Sequence, residues 1–310
     1  MPKIKSEIRK DYLLDKYVIV TPGRATRPRD IKGKTVKIAN KKCPFCPKNI
    51  AIDNVVDTIP NQKNWQVLSL KNIFPAVSLE NNKAYGKQEV IIDTPDHAKD
   101  LADLSIKQIE QLLEMYAKRT AEISKNKKID YILCFKNQGA KAGASIQHAH
   151  SQVFASKIIP PDLITESQAV KKYYQKNKRC AYCDIIKKEA KGSRKIMSDK
   201  NIIAFTPYAS AYHYEAWIFP KRHLDNIILL NKEEFASLAK IMKKILVKMQ
   251  KLNLSFNYFL HNVISNKEQH FYIKIQPRDS VWAGVELGSG LVINSIPPEQ
   301  AARYYRSKPH

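Results

Sequence analysis

The chain carries an internal repeat, in which unusual polar residues of the first half recur in the same order in the second half. The motif Cys43-Pro-Phe-Cys46 returns as Cys180-Ala-Tyr-Cys183. In both halves a glutamate then follows, with a histidine eight residues after it. A second histidine comes last in each half. These residues are Glu89, His97 and His148 in the first half, and Glu215, His223 and His270 in the second. The repeat predicts two similar folded units in tandem.

Each half also contains one stretch with the pattern of an amphipathic helix. Each stretch begins with a capping box, in which a polar cap residue precedes Gln or Glu by three positions, and apolar residues then recur at helical spacing. An apolar strand candidate follows each helix, and the closing histidine comes after that strand. The capping boxes are Ser105 with Gln108 and Asn231 with Glu234, and the strand candidates are residues 131–135 and 256–260.

The order of these elements predicts an α+β fold made of two tandem units, each a mainly antiparallel sheet with a packed helix. We expect the two units to form one pseudo-symmetric module. Pro160-Pro161 introduces a basic segment between the halves, so the units are predicted at residues 1–165 and 166–310.

Two zinc sites are predicted, because each half supplies the two cysteines and two histidines that suit a tetrahedral structural site. The first set is Cys43, Cys46, His97 and His148, and the second is Cys180, Cys183, His223 and His270. One such histidine alone is more often a surface or core residue, but its recurrence in both halves favours zinc. Four protein ligands leave no position for a reacting water, so we expect structural ions that tie the start of each unit to its sheet.

Residues 143–154 form the candidate catalytic strand, because alternation along a strand would place His148, His150 and Gln152 on one face. A neutral imidazole, with an ordinary pKa of about 6.5, can attack phosphorus at neutral pH. The Gln152 amide can donate to nonbridging phosphate oxygens. The second half keeps His270 but has Tyr272 and Lys274 at the other two positions. This asymmetry predicts a metal ligand at His148 and a nucleophile at His150.

Composition narrows the class of protein and its compartment. The formal net charge is +24 over 310 residues, but the basic residues are mostly scattered, which suits phosphorylated substrates better than specific nucleic-acid binding. The non-enzymatic alternative is a basic nucleic-acid-binding module that is stabilised by zinc. No apolar run approaches the roughly 20 residues of a membrane-spanning helix, and the paired cysteines favour metal ligation in a reducing compartment. We therefore predict a cytoplasmic protein without a membrane partner.

On these motifs the chain resembles the galactose-1-phosphate uridylyltransferase family of the histidine-triad superfamily, and its zinc-ligand pattern is similar to that of the ADP-glucose phosphorylase branch. The resemblance covers nearly the whole chain. The motifs that carry it are RKDYLLDKYVIVTPGRATRPRD, CPFC, KNIFPAV, FKNQG, GASIQHAHSQ, WIFPKRH and GVELGSGLVINSIPPEQAARYYR. It implies two histidine-triad-like units, of which residues 166–310 are degenerate at the nucleophile position.

The resemblance also implies an activity and a set of substrate contacts. The activity is transfer of a nucleoside monophosphate between a nucleoside diphosphate hexose and a hexose 1-phosphate, through a nucleotidyl-histidine at His150. It further implies a homodimer in which the active site is completed by the second subunit. The implied substrate residues are Arg24, Arg27, Asn137, Ser145 and Gln152 at the phosphates, Asn72 at the ribose and Glu286 at the hexose.

One departure from the family pattern leaves undetermined which nucleotide is carried and which acceptor receives it. The uridylyltransferases typically read His-Pro-His-Gly-Gln on the catalytic strand, whereas Ala149 and Ser151 occupy the Pro and Gly positions here. The alternatives are an ADP-sugar phosphorylase, with inorganic phosphate as acceptor, and a histidine-triad nucleotide hydrolase, with water as acceptor.

Overall fold

A computed structural model describes residues 7–14, 17–20, 43–264, 266 and 268–308. The strands are β1 (Glu7–Lys10), β2 (Tyr17–Val20), β3 (Val55–Ile59), β4 (Val67–Lys71), β5 (Gly86–Ile92), β6 (Tyr131–Gln138), β7 (His150–Ser156), β8 (Lys195–Ser198), β9 (Ile202–Phe205), β10 (Ala216–Pro220), β11 (Phe256–His261), β12 (Tyr272–Pro277) and β13 (Val292–Asn294). The α-helices are α1 (Ile106–Ser124), α2 (Pro161–Asn177), α3 (Ala181–Ala190), α4 (Lys232–Lys251), α5 (Gly284–Ser289) and α6 (Pro298–Arg306).

Ten strands form one antiparallel sheet in the order β3-β4-β5-β7-β6-β11-β12-β10-β9-β8. When the two halves of the sheet are read from their outer edges, each strand of the first half has a counterpart in the second. The halves meet where β6 pairs with β11, with Gln138 opposite Phe256 and Phe135 opposite Phe259. This arrangement confirms the predicted α+β fold of two pseudo-symmetric tandem units. The predicted boundary at residues 165/166 falls within α2 and stays a prediction.

The long helices α1 and α4 cover one face of this sheet. Both begin with the predicted capping boxes, since Ser105 accepts from the Gln108 backbone N–H at 3.2 Å and Asn231 accepts from that of Glu234 at 2.9 Å. Their apolar sides share one core with residues from both halves of the sheet, including Val153. The packing explains why each helix carries an apolar stripe and a charged outer surface.

Helices α2 and α3 pack against the opposite face of the second half, where Tyr182 contacts Phe219 and Tyr272. In the first half that same face carries His150 and Gln152, because alternate residues of β7 point into the α1 core. Strands β1, β2 and β13 form a separate small sheet. Within the described ranges no helix is both long enough and apolar enough to cross a bilayer.

Candidate active site and metal centres

The first cysteine and histidine set converges as predicted. Ligand atoms of Cys43, Cys46, His97 and His148 all lie within 4.8 Å of one another. The Sγ of Cys46 is 3.4 Å from Nδ1 of His97 and 3.7 Å from Nδ1 of His148, and the Sγ of Cys43 is also 3.7 Å from the latter. Zn–S bonds of about 2.3 Å and Zn–N bonds of about 2.0 Å at tetrahedral angles place S and N about 3.5 Å apart. The four side chains therefore fit a zinc ion.

A hydrogen bond behind the first cluster fixes the ring of His148. Its Nε2 lies 2.7 Å from the carbonyl oxygen of Thr94, so Nε2–H donates and the lone pair of Nδ1 faces the cysteines. Such a partner on the outer nitrogen is usual for metal-bound histidine. Burial lowers the pKa of His148, which favours the neutral ring that a metal requires.

The second set converges in part. Cys180, Cys183 and His223 lie within 4.8 Å of one another, with 3.4 Å between Cys183 Sγ and His223 Nδ1. The fourth predicted ligand, His270, is beside them, with its ring centroid 5.2 Å from that of His223, but it does not join the cluster. Its Nδ1–H donates to the carbonyl of Phe271. Its Nε2 is buried and has no hydrogen-bond partner among the described residues, which fits a nitrogen that completes a metal site.

The candidate nucleophile, His150, is the first residue of β7 and is 8% exposed. Its Nδ1 lies 2.8 Å from the carbonyl oxygen of His148, so Nδ1–H donates and Nε2 carries the lone pair. Burial, and then the charge of Lys136, lower the pKa of His150 and favour the neutral, nucleophilic ring. Of the three residues predicted on one strand face, His150 and Gln152 lie on β7, and His148 lies two residues before its first residue.

Two side chains that the sequence analysis did not identify hold the catalytic groups. The ring of Phe45, inside the first Cys-x-x-Cys motif, packs on His150 with 5.0 Å between centroids. The Gln88 amide N–H donates to Oε1 of Gln152 at 2.9 Å, while Oε1 of Gln88 accepts from the backbone N–H of Ala76. Because the Gln152 oxygen accepts from Gln88, these two hydrogen bonds leave the Gln152 amide nitrogen to act as a donor. The contacts of both residues depend on the pairing of distant segments, which the Cys-x-x-Cys motif around Phe45 does not reveal.

The predicted phosphate residues on this side of the sheet are near the catalytic strand. Asn137 of β6 lies on the same sheet face as Gln152, because Phe135 is directly opposite Gln152. Its Oδ1 accepts from Asn257, and it lines a cavity of about 960 Å³ over β6, β11 and β12 to which His150 does not belong. Ser145 is exposed in the loop before β7.

Of the remaining predicted contacts, two lie in a loop and a short helix, and two lie outside the described residues. The Asn72 side chain accepts from the backbone N–H of Phe74 and so shapes the loop after β4. The Glu286 carboxylate accepts from the backbone N–H groups of Ala283 and Ile293, around its own short helix. Arg24 and Arg27 lie outside the described residues.

Two pseudo-symmetric units in one sheet, with a single His-x-His-x-Gln segment beside a Cys/His cluster, indicate a nucleotidyltransferase. The family model for the N-terminal domain of galactose-1-phosphate uridyl transferase matches residues 2–160. The chain belongs to this family, which confirms the resemblance drawn from its motifs.

Similar proteins include both branches that the motifs suggested. ADP-glucose phosphorylase from Arabidopsis thaliana is 31% identical, over 97% of this chain and 92% of the relative. Galactose-1-phosphate uridylyltransferase from Thermotoga maritima is 30% identical, over 97% and 98%. Among solved structures, the Arabidopsis thaliana ADP-glucose phosphorylase with bound ADP-glucose superposes with a TM-score of 0.87 at 29% identity, covering 99% of this chain and 100% of that one.

Proposed function

We propose that this enzyme moves a nucleoside monophosphate between a nucleoside diphosphate hexose and a hexose 1-phosphate, with a nucleotidyl-histidine at His150 as the intermediate. One observation carries the proposal: the hydrogen bond from Nδ1–H of His150 to the His148 carbonyl leaves the lone pair of Nε2 as the nucleophile. The second half of the sheet has Tyr272 at the equivalent position, so each chain would form one adduct.

In the first half-reaction, Nε2 attacks the α-phosphorus of the nucleotide sugar. The N–P bond forms as the bond from the α-phosphorus to the bridging oxygen breaks, and the hexose 1-phosphate leaves with that electron pair. The proton on Nδ1 stays in its bond to His148, which stabilises the positive charge that develops on the ring. The amide N–H of Gln152 donates to a nonbridging oxygen. A second hexose 1-phosphate reverses these steps.

The finer assignments belong to the same proposal. Arg24, Arg27, Asn137 and Ser145 would bind the phosphates, Asn72 the ribose and Glu286 the hexose. Both Cys/His clusters would hold Zn²⁺ as a structural ion that fixes the start of each unit against the sheet. We further propose a cytoplasmic homodimer, in which the active site is completed by the second subunit.

A second candidate function is an ADP-sugar phosphorylase, in which inorganic phosphate resolves the same adduct. The observation that favours it is the catalytic segment, where Ala149 and Ser151 replace the Pro and Gly typical of the uridylyltransferases. The likeness to ADP-glucose phosphorylase, at 31% identity, also supports it. A hydrolase, in which water resolves the adduct, would release the nucleoside monophosphate whether or not a phosphorylated acceptor is present.

The test is the mass of the intact chain after incubation with UDP-glucose or with ADP-glucose. We expect an added uridylyl or adenylyl group in the wild-type protein and none in the His150→Ala variant. Addition of galactose 1-phosphate or of inorganic phosphate to the isolated adduct then identifies the acceptor by the product released. The double displacement also predicts parallel lines in two-substrate kinetics. Intersecting lines without an adduct from either nucleotide sugar would refute the proposal.

A further inference from the structure

We propose that Asp93, Lys136 and Ser151 form a buried network that positions the backbone around His150 for nucleotidyl transfer. This inference rests on the proposed function, because it concerns the orientation of the same nucleophile, His150. The three residues lie behind the catalytic segment, on the sheet face that packs against α1. They touch no substrate and act through the main chain, so they are positioning residues.

The network holds the main chain on both sides of His150. The Lys136 ammonium donates to the His150 carbonyl at 3.0 Å and to Oδ2 of Asp93 at 2.9 Å. The Ser151 hydroxyl donates to Oδ1 of the same carboxylate at 2.6 Å. The backbone N–H of Asp93 in turn donates to the Ala149 carbonyl at 3.0 Å. The peptide groups before and after the nucleophile are therefore both held by hydrogen bonds, one from the residue that follows β5 and one from β6.

The position of the ion pair in the sheet explains this arrangement. The paired register of β6 and β7 ends at Phe135 opposite Gln152, so the next residue of β6, Lys136, lies where the strand pairing stops. Lys136 is 1% exposed and Asp93 is 0% exposed. A buried ammonium is costly unless it is paired and fully hydrogen-bonded, and here its partners are the carboxylate and the carbonyl of the nucleophile.

The consequence for the reaction follows from geometry. The direction of the His150 lone pair depends on the backbone at residues 148–151, because its other ring nitrogen is bonded to the carbonyl of His148. A displacement of about 1 Å at a reacting group can cost about 100-fold in rate. Loss of the donor to the His150 carbonyl should therefore slow adduct formation and leave the affinity for the nucleotide sugar unchanged.

The experiment compares Lys136→Met, Asp93→Asn and the double variant by single-turnover adduct formation and thermal unfolding. Each single substitution leaves an unpaired buried charge and should lower the Tm, whereas the double variant removes both charges and should recover it. Because the donor to His150 is absent, Lys136→Met and the double variant should both form the adduct about 100-fold more slowly, with an unchanged KM. Asp93→Asn keeps the donor and should lose less rate.

Two further variants make the outcome decisive. Arg194→Met removes the partly buried partner of Glu189 and Glu299 in the second half, leaves the Glu189 carboxylate buried, and should lower the Tm without slowing adduct formation. Ser151→Ala removes one hydrogen bond without unpairing a charge, so it should fold even if Lys136→Met does not, with adduct formation slowed about tenfold. Full recovery of rate in the double variant, or an unchanged rate in Ser151→Ala, would overturn the inference. A wild-type protein that forms no adduct would instead refute the proposed function.

Discussion

The carbonyl oxygen of His148 accepts a hydrogen bond from Nδ1 of His150 at 2.8 Å, while the ring of His148 faces Cys43 and Cys46. The backbone of one residue thus orients the nucleophile, and its side chain belongs to the first metal cluster. Phe45 adds a second link, because it lies between the two cysteines and packs on His150. The rate at which His150 forms the adduct should therefore depend on whether the first metal site is occupied.

Removal of the first metal should slow the reaction without abolishing it. We expect Cys43→Ala to lose one of two zinc ions per chain and to form the adduct about 10- to 100-fold more slowly, because His148 then keeps its hydrogen bond to Thr94 but loses its metal ligation. Zinc content by a chromophoric chelator and adduct mass by time course measure both effects. Cys180→Ala is the matched comparison and should lose one ion with a smaller change in rate. Equal slowing in both variants would contradict this coupling.

The amide of Gln88 should matter for the orientation of Gln152. In Gln88→Glu, the carboxylate still accepts from Ala76 but no longer donates to Gln152, whose amide is then free to turn. We expect kcat to fall about tenfold, the loss of one oriented hydrogen bond, against about 100-fold or more for Gln152→Ala. Steady-state rates of the two variants test the order. A Gln88→Glu enzyme with wild-type kcat would show that Gln152 is held by other contacts.

Acid should destabilise the second half through Glu166. Burial opposes the charge on this carboxylate, but four neighbours outweigh it and lower its pKa from 4.5 to about 2. These neighbours are the charges of His261 and Lys274 and the hydroxyls of Tyr182 and Tyr272. Because the folded pKa is below the unfolded one, the stabilisation is complete above about pH 4.5 and is lost as the pH falls through about 2.

The size of this effect is about 3 kcal/mol of unfolding free energy. Denaturant unfolding at several pH values between 2 and 5 measures it. The Glu166→Gln variant is the control, because it lacks this carboxylate but shares every other acid-sensitive group, including the metal ligands. Parallel pH curves for the two proteins would rule out the assignment.

The two repeated glutamates should differ in their contribution to stability. Glu89 is fully buried and forms two hydrogen bonds with Arg119, at 2.7 and 2.9 Å. Glu215 is also buried, but among the described residues it accepts from the Trp217 indole and from backbone N–H groups rather than from a cation, and burial raises its pKa. Glu89→Gln leaves the buried Arg119 guanidinium with only its longer contact to Asp57, at 3.4 Å, and should cost about 3–5 kcal/mol.

Glu215→Gln should cost less, about 1–3 kcal/mol, because no buried cation loses its partner. Urea unfolding of both variants and of the wild-type protein gives the comparison. A larger loss for Glu215→Gln would show that the indole and backbone hydrogen bonds dominate over the ion pair.

The repeat made most of the architecture predictable. Polar residues that recur in the same order constrain two segments to fold alike, and capping boxes such as that at Ser105 fix where a helix begins through local hydrogen bonds. The second half also offers an internal comparison, in which Tyr272 occupies the position of His150, and this comparison is the basis on which His150 is predicted as the nucleophile. The first metal set followed from ligand count alone.

Sequence by itself determined the two-unit fold and the residue types of the Cys/His clusters, and it predicted His150 as the nucleophile, since these depend on local patterns and on their repetition. The tertiary structure decided which groups hold the backbone around His150. Lys136 and Asp93 lie on different strands, and only the pairing order β5-β7-β6 brings both behind His150. It also placed His270 beside the second cluster but not within it, because ring orientation depends on neighbouring hydrogen bonds that spacing does not encode.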